Sequence, residues 1–199
     1  MREREPINQT PLSDELRRVV VIDTETSGLD PYQHSLLSIG LVPLYTEERL
    51  ELFVSEPSIL ADPRSMAIHG IDLEWLSTVG ESPKVICERF ETFLAHHSHS
   101  PVILAGHNIT FDLRFMKRLY RLADRPWPTL ISHRSLDTHS MLWQLAASGQ
   151  IPFDACSSDG AFRYFNCAPL PQERHSALGD ALSTRELLRL ILARSTNSP

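Results

Sequence analysis

Four apolar residues, Val19, Val20, Val21 and Ile22, run straight into the polar stretch DTETSGLD (23–30). An apolar run on both alternating faces suits a strand covered on both sides, and it predicts a strand from about 18 to 25. Residues two apart on a strand project to one face, so Asp23 and Glu25 point the same way near its buried end. A bare carboxylate there is costly, and both charges need compensation. SLLSIGLVPLY (35–45) and RLELFVSE (49–56) read as two strands of a hairpin or meander. In DPRSMAIHGIDLEWL (62–76), Pro63 and Gly70 read as breakers, with a short helix after Ile71. Ser82 as N-cap and Pro83 at the first helical position open a helix whose Val85, Ile86, Phe90, Phe93 and Leu94 recur at helical spacing. PVILAGHN (101–108) is another buried strand, and a helix of about 15 residues follows it. A strand through LISHRSLDT, helical pieces to about 166 and a last helix over roughly 177 to 194 complete the pattern.

Residues 1–16 are polar, carry Pro6 and Pro11, and read as a flexible leader. Residues 17–196 read as one α/β domain, a mixed central sheet flanked by helices. The 199 residues, 42% hydrophobic and 22% charged, have ordinary globular composition and no apolar run long enough for a membrane span. The N-terminus lacks a signal-peptide core, and Cys87, Cys156 and Cys167 have no disulfide or zinc spacing, so a cytoplasmic setting is expected. A net charge of −6 argues against bulk electrostatic binding of nucleic acid and leaves room for a local basic track.

Two further acids stand beside buried structure. Asp112 falls in the first turn of the helix after PVILAG, at the margin of a stripe formed by Phe111, Phe115, Leu119 and Leu122. Alone it would be an acid favoured by the helix dipole. Asp180 shares a helical line with Thr184, Leu187 and Ile191 and faces inward; alone it would be a helix-start acid. His175 lies five residues earlier, about 140° away on a regular helix, which places it on the approach loop. Taken together, four acids from three separated elements supply the hard oxygen ligands that two Mg²⁺ or Mn²⁺ ions require. Such cations would compensate Asp23 and Glu25.

DTETSGLD (23–30), HNITFDLRFM (107–116) and HSALGD (175–180) resemble the three motifs of the DEDD 3′→5′ exonucleases. The histidine five before the last aspartate marks the His-containing branch, which includes the epsilon proofreading subunit of bacterial DNA polymerase III and ribonuclease T. IHGI (68–71) resembles a segment of that branch beside the terminal base. The resemblance implies a ribonuclease H-like fold and metal-dependent hydrolysis from a 3′ end. It implies Asp23, Glu25, Asp112 and Asp180 as metal ligands and His175 as general base. His69 and Ile71 match positions flanking the terminal nucleotide, and Asn108 and Phe111 match pocket positions of the second motif. Thr24 and Thr26, beside the first-motif acids, fall on the substrate side. The chain stops soon after the last helix, so the tail by which the epsilon subunit binds its polymerase is not expected; polymerase association stays open. Residues 125–170 follow no family pattern.

Arg114, Lys117, Arg118, Arg121 and Arg125 lie opposite the apolar stripe of the helix after Asp112. A solvated basic face is the default, and a backbone track for nucleic acid is the alternative. HHSH (96–99) reads as a solvated loop. The leading function is exonuclease action on single-stranded or frayed DNA. An exoribonuclease is the close competitor, because the same acids serve both sugars. A non-catalytic binding module is disfavoured, because it has no reason to keep four acids and His175.

Overall fold

Residues 14–195 are described by a computed structural model. They begin with one helical turn, α1 (Asp14–Arg17), and enter β1 (Val19–Thr26) at the first apolar residue. The antiparallel strands β2 (Leu36–Pro43) and β3 (Leu50–Phe53) follow. Then come α2 (Pro63–His69), α3 (Leu73–Val79), α4 (Pro83–His97), β4 (Val102–Gly106), α5 (Thr110–Leu122) and β5 (Ile131–Asp137). The last elements are α6 (Thr138–Ala147), a 3₁₀ turn at Phe153–Cys156, α7 (Ser158–Phe165) and α8 (Ala177–Ser195). The sheet order is β3-β2-β1-β4-β5, with β1 parallel to β4 and β4 parallel to β5. This is the mixed sheet expected.

β1 is central, and Val19 to Ile22 have no exposed surface. Alternation sends Val20 and Ile22 into the core under α4 and α5, with Phe90, Phe115 and Leu119. Val19 and Val21 go to the other face, against Ala181 and Leu188 of α8. Asp23 and Glu25 continue that second face, so they emerge where α8 begins. A third cluster joins α6, the 3₁₀ turn and α7 to Leu187 and Ile191 of α8. None of the helices, among the described residues, is long and apolar enough to cross a membrane.

One expectation needs correcting. Pro63 and Gly70 do not break a helix; they punctuate α2. The Asp62 carboxylate accepts from the Arg64 backbone N–H at 2.7 Å, Pro63 takes the first turn, where no N–H is needed, and Gly70 closes the helix at φ 65°. α3 does follow Ile71 as expected, capped by Asp72. The expected leader falls mostly on 1–13, outside the described residues, and its last residues belong to α1.

Gly40 governs how α8 meets the sheet. It pairs with Asp23 across β1 and β2, and a Cβ there would lie 2.2 Å from the Ala177 carbonyl oxygen and 2.6 Å from the Leu178 nitrogen. Only a bare backbone lets the first turn of α8 come down at this point. Just beyond, the register slips from Glu25↔Ser38 to Thr26↔Leu36, a bulge of the kind that re-aims side chains.

Candidate active site

Asp23 and Glu25 project from the end of β1, and Asp180 comes down to them from the first turn of α8. One carboxylate oxygen of each lies within 4.8 Å of the others. Burial raises the Asp23 pKa well above the usual carboxylate range, and the charges of Asp112, Glu25 and Asp180 push it further. Glu25 is raised to about 8, first by burial and then by Asp180. Asp180 is raised by burial against the pull of Arg174. The acids therefore sit in a site that disfavours their own charge.

Asp112 approaches from the other face of the sheet. It is buried on α5, and Thr24 Oγ1, opposite Asp23 in the strand alternation, donates to Asp112 Oδ1 at 2.7 Å. Burial lifts Asp112 to about 7, and the Thr24 hydrogen bond works against that rise. Asp112 is thus outside the three-acid group, yet its charge is the largest electrostatic influence on Asp23. Asp23 stands between the two sides.

Arg174, which the sequence reading passed over, compensates part of this charge. Its Nη1 donates to Asp180 Oδ2, while Nε and Nη2 donate to Asp159 Oδ1 on α7 at 3.0 and 2.8 Å. The guanidinium also lies 5.5 Å from the Phe162 ring centroid. A basic residue directly before His175 was the available signal. Asp180 Oδ1 remains buried with no hydrogen-bond partner. An orphaned carboxylate oxygen beside two more carboxylates suits a hard divalent cation such as Mg²⁺ or Mn²⁺.

His175 sits on the loop before α8, as expected, with a left-handed backbone (φ 62°). It lines a cavity of about 320 Å³ together with His69, Ile71, Trp75, Phe53 and Glu51. In His69, Nδ1 accepts from the Ile71 N–H at 3.1 Å, so Nε2 carries the proton that meets the Thr26 carbonyl at 3.3 Å. Burial lowers the His69 pKa, and nearby His175 lowers it too, against the raising effect of the Thr26 carbonyl. A neutral ring bonded at both nitrogens makes a fixed wall.

The remaining expected substrate residues are scattered. Thr26 turns its hydroxyl back to the Gly28 carbonyl at 2.7 Å. Asn108, also left-handed at φ 60°, donates its backbone N–H to Asp137 Oδ1 at 2.8 Å. Phe111 packs on Phe115 at 5.0 Å, and neither it nor Asn108 lines the cavity of His69 and Ile71. Asp137, unremarked in the sequence, caps α6 and raises the Asp112 pKa from nearby.

Three of the five basic residues on α5 are already engaged within the fold. Arg118 makes a two-pronged ion pair with buried Glu56 at 2.6 and 2.9 Å, and Ser35 Oγ donates to the same carboxylate at 2.8 Å. Arg125 pairs with Glu91 at 2.9 Å, and Lys117 lies over the Trp127 ring. Helical spacing identified the basic face but not the acids waiting for it. His96 and His97 of HHSH sit 3.7 and 4.0 Å from Glu48, away from the acid cluster.

The chain is 29% identical over 177 residues to the DNA polymerase III subunit epsilon of Rickettsia prowazekii, covering 85% of this chain and 72% of that one. It is 28% identical over 184 residues to the 3′-5′ DNA exonuclease Cap18 of Escherichia coli, covering 86% and 90%. Among solved structures, exonuclease I of Methylocaldum szegediense superposes with TM-score 0.71 at 23% identity, over 90% of this chain and 41% of that one. E. coli Exonuclease I in complex with a dT13 oligonucleotide gives 0.75 at 14% identity, over 89% and 41%. The chain therefore spans about two fifths of these structures, and it shares their ribonuclease H-like fold. The family model RNase_T, described as Exonuclease, runs from residue 20 in the first strand to residue 188 in the last helix, and on that match the chain belongs to the DEDD-type 3′→5′ exonucleases.

Proposed function

We propose that this chain hydrolyses nucleotides from the 3′ end of single-stranded or frayed DNA, using two Mg²⁺ or Mn²⁺ ions held by Asp23, Glu25, Asp112 and Asp180. The observation that carries the reading is the convergence of Asp23, Glu25 and Asp180 within 4.8 Å, with Asp112 pressing on Asp23 from the opposite face. Bound divalent cations supply the positive charge that stabilises a phosphoryl group and its leaving oxygen during in-line displacement. DNA is chosen over RNA because Cap18 is a DNA exonuclease by name and the Exonuclease I structure holds a dT13 oligonucleotide.

The chain's own groups have separable tasks. Asp23 lies with Glu25 and Asp180 and feels the charge of Asp112, so it would help hold a divalent cation that offsets these charges. Thr24 orients Asp112 through its hydroxyl. Arg174, anchored on Asp159, holds Asp180 and offsets part of the cluster's charge. His175 takes the proton of the attacking water as general base, and its loop position lets it close on bound substrate. Ile71, Phe53 and Trp75 with the fixed His69 ring give the terminal nucleotide an apolar seat.

The test is a gel with the purified chain. A 5′-labelled single strand should shorten to a ladder when Mg²⁺ or Mn²⁺ is present and stay intact in EDTA, and a circular single strand should stay uncut. His175→Ala should slow shortening by roughly 10²–10⁴-fold, the usual contribution of a positioned base, while metal binding persists. Cutting of circles, activity after exhaustive chelation, or selective shortening of RNA would each overturn part of the reading.

A further inference from the structure

A line of aromatic rings leaves the end of β4 across α6 and the 3₁₀ turn. It starts at His107, just past the end of β4, whose pKa burial lowers to about 4. His107 Nδ1 meets Thr138 Oγ1 at 3.1 Å, and its ring stands edge-on to His139 at 5.2 Å. His139 is 6.4 Å from Trp143, and Trp143 is 5.3 Å from Phe153. β1 and β4 run parallel with Val21 opposite Ala105, so His107, two residues past Ala105, leaves the sheet at the same end as Asp23, two residues past Val21.

Its outer members are exposed without being loose. Trp143 is 50% and Phe153 57% exposed, whereas Leu142, Leu145 and Ala146 on the same helix and Ala155 and Cys156 on the same turn are buried. Half or more of each ring's surface thus stays open while the neighbouring residues of its helix or turn are packed. Successive rings are inclined at 84°, 48° and 66°, so they do not stack flat on one another. Their spacing exceeds the about 3.4 Å repeat of bases along a duplex strand. Such a surface suits bases splayed out of a stack, each set on its own ring.

We propose that His139, Trp143 and Phe153 form a stacking platform for single-stranded nucleic acid, holding the bases that trail behind the 3′ terminus seated in the site. This rests on the exonuclease reading and narrows its substrate to an unpaired strand. Base–ring contact on these three side chains carries no counterion release of its own.

The experiment measures binding in EDTA, so that hydrolysis plays no part. A fluorescein-labelled dT12 strand is titrated with the full chain and followed by anisotropy at several salt concentrations. Trp143→Ala should weaken binding by about 5- to 150-fold, the range given by about 1–3 kcal/mol per stacked base. Trp143→Phe should restore most of the affinity, and the slope of affinity against salt should stay that of the parent. Phe153→Ala should act in the same direction. Unchanged affinity in Trp143→Ala, a Phe variant as weak as the Ala variant, or equal preference for a blunt duplex would overturn the platform. Failure of the parent to shorten a strand in Mg²⁺ would instead strike the exonuclease reading, and the EDTA titration would still decide the platform.

Discussion

Replacing Gly40 by alanine tests how tightly the site depends on the seating of α8. Gly40 is absent from the residues with positive φ, so its backbone accepts a side chain and any effect is one of space. The added Cβ would lie 2.2 Å from the Ala177 carbonyl oxygen, whereas ordinary contact begins near 3.4 Å, so the first turn of α8 must retreat by about 1.2 Å. Asp180 is in that turn and must come within 4.8 Å of Asp23 and Glu25. A misplacement of about 1 Å costs on the order of 10²-fold in rate. Overpacking of this size costs about 1–3 kcal/mol, less than the roughly 5–15 kcal/mol that holds a domain together. The expected result is a fall of about 10²-fold in kcat/KM on a 5′-labelled single strand, with weaker Mg²⁺ dependence and a retained cooperative melt. A Gly40→Ala enzyme within about threefold of the parent would show that the seat of α8 does not position Asp180.

Asp23→Asn should abolish hydrolysis yet leave the metal-free melting temperature at pH 8 unchanged or higher, because Asp112, Glu25 and Asp180 all repel Asp23; a marked drop in EDTA would contradict this. Glu25 and Asp112 have folded pKa values raised to about 8 and about 7 from ordinary values of 4.5 and 3.8, so the folded protein holds more protons than the unfolded chain in that window. Metal-free stability should therefore fall as pH rises from about 4 to about 8, and saturating Mg²⁺ should flatten the trend; denaturant melts across that range decide it. Arg118→Ala strands buried Glu56 and should cost about 3–5 kcal/mol in urea unfolding. Unchanged stability with weakened DNA binding in that variant would assign Arg118 to a backbone track on α5 instead.

What the sequence made legible was what periodicity controls. The two-residue period of a strand put Asp23 and Glu25 on one face, and the 3.6-residue period of a helix turned Asp180 inward with Thr184 and Leu187. Contacts that depend on reach were hidden. Arg174 finds Asp159, 15 residues back on α7, and Arg118 finds Glu56, 62 residues away, and no local pattern encodes either partner. α2 was missed because Pro63 and Gly70 are breakers inside a helix but caps at its ends, and seven residues offer too little periodicity to choose. Gly40 looked like any glycine in an apolar run until α8 was placed above it.

The chain order of the four acids has its own consequence for synthesis. Asp23, Glu25 and Asp112 emerge early from the ribosome, on the sheet and the helix that follows β4, while Asp180 arrives only with α8. Until residue 180 has been made, a growing chain carries at most three of the four acids, and it lacks His175 for nearly all of that time. If the four acids act together as proposed, no nascent copy on a polysome can cut before α8 is made, with the messenger RNA being translated within reach of each of them.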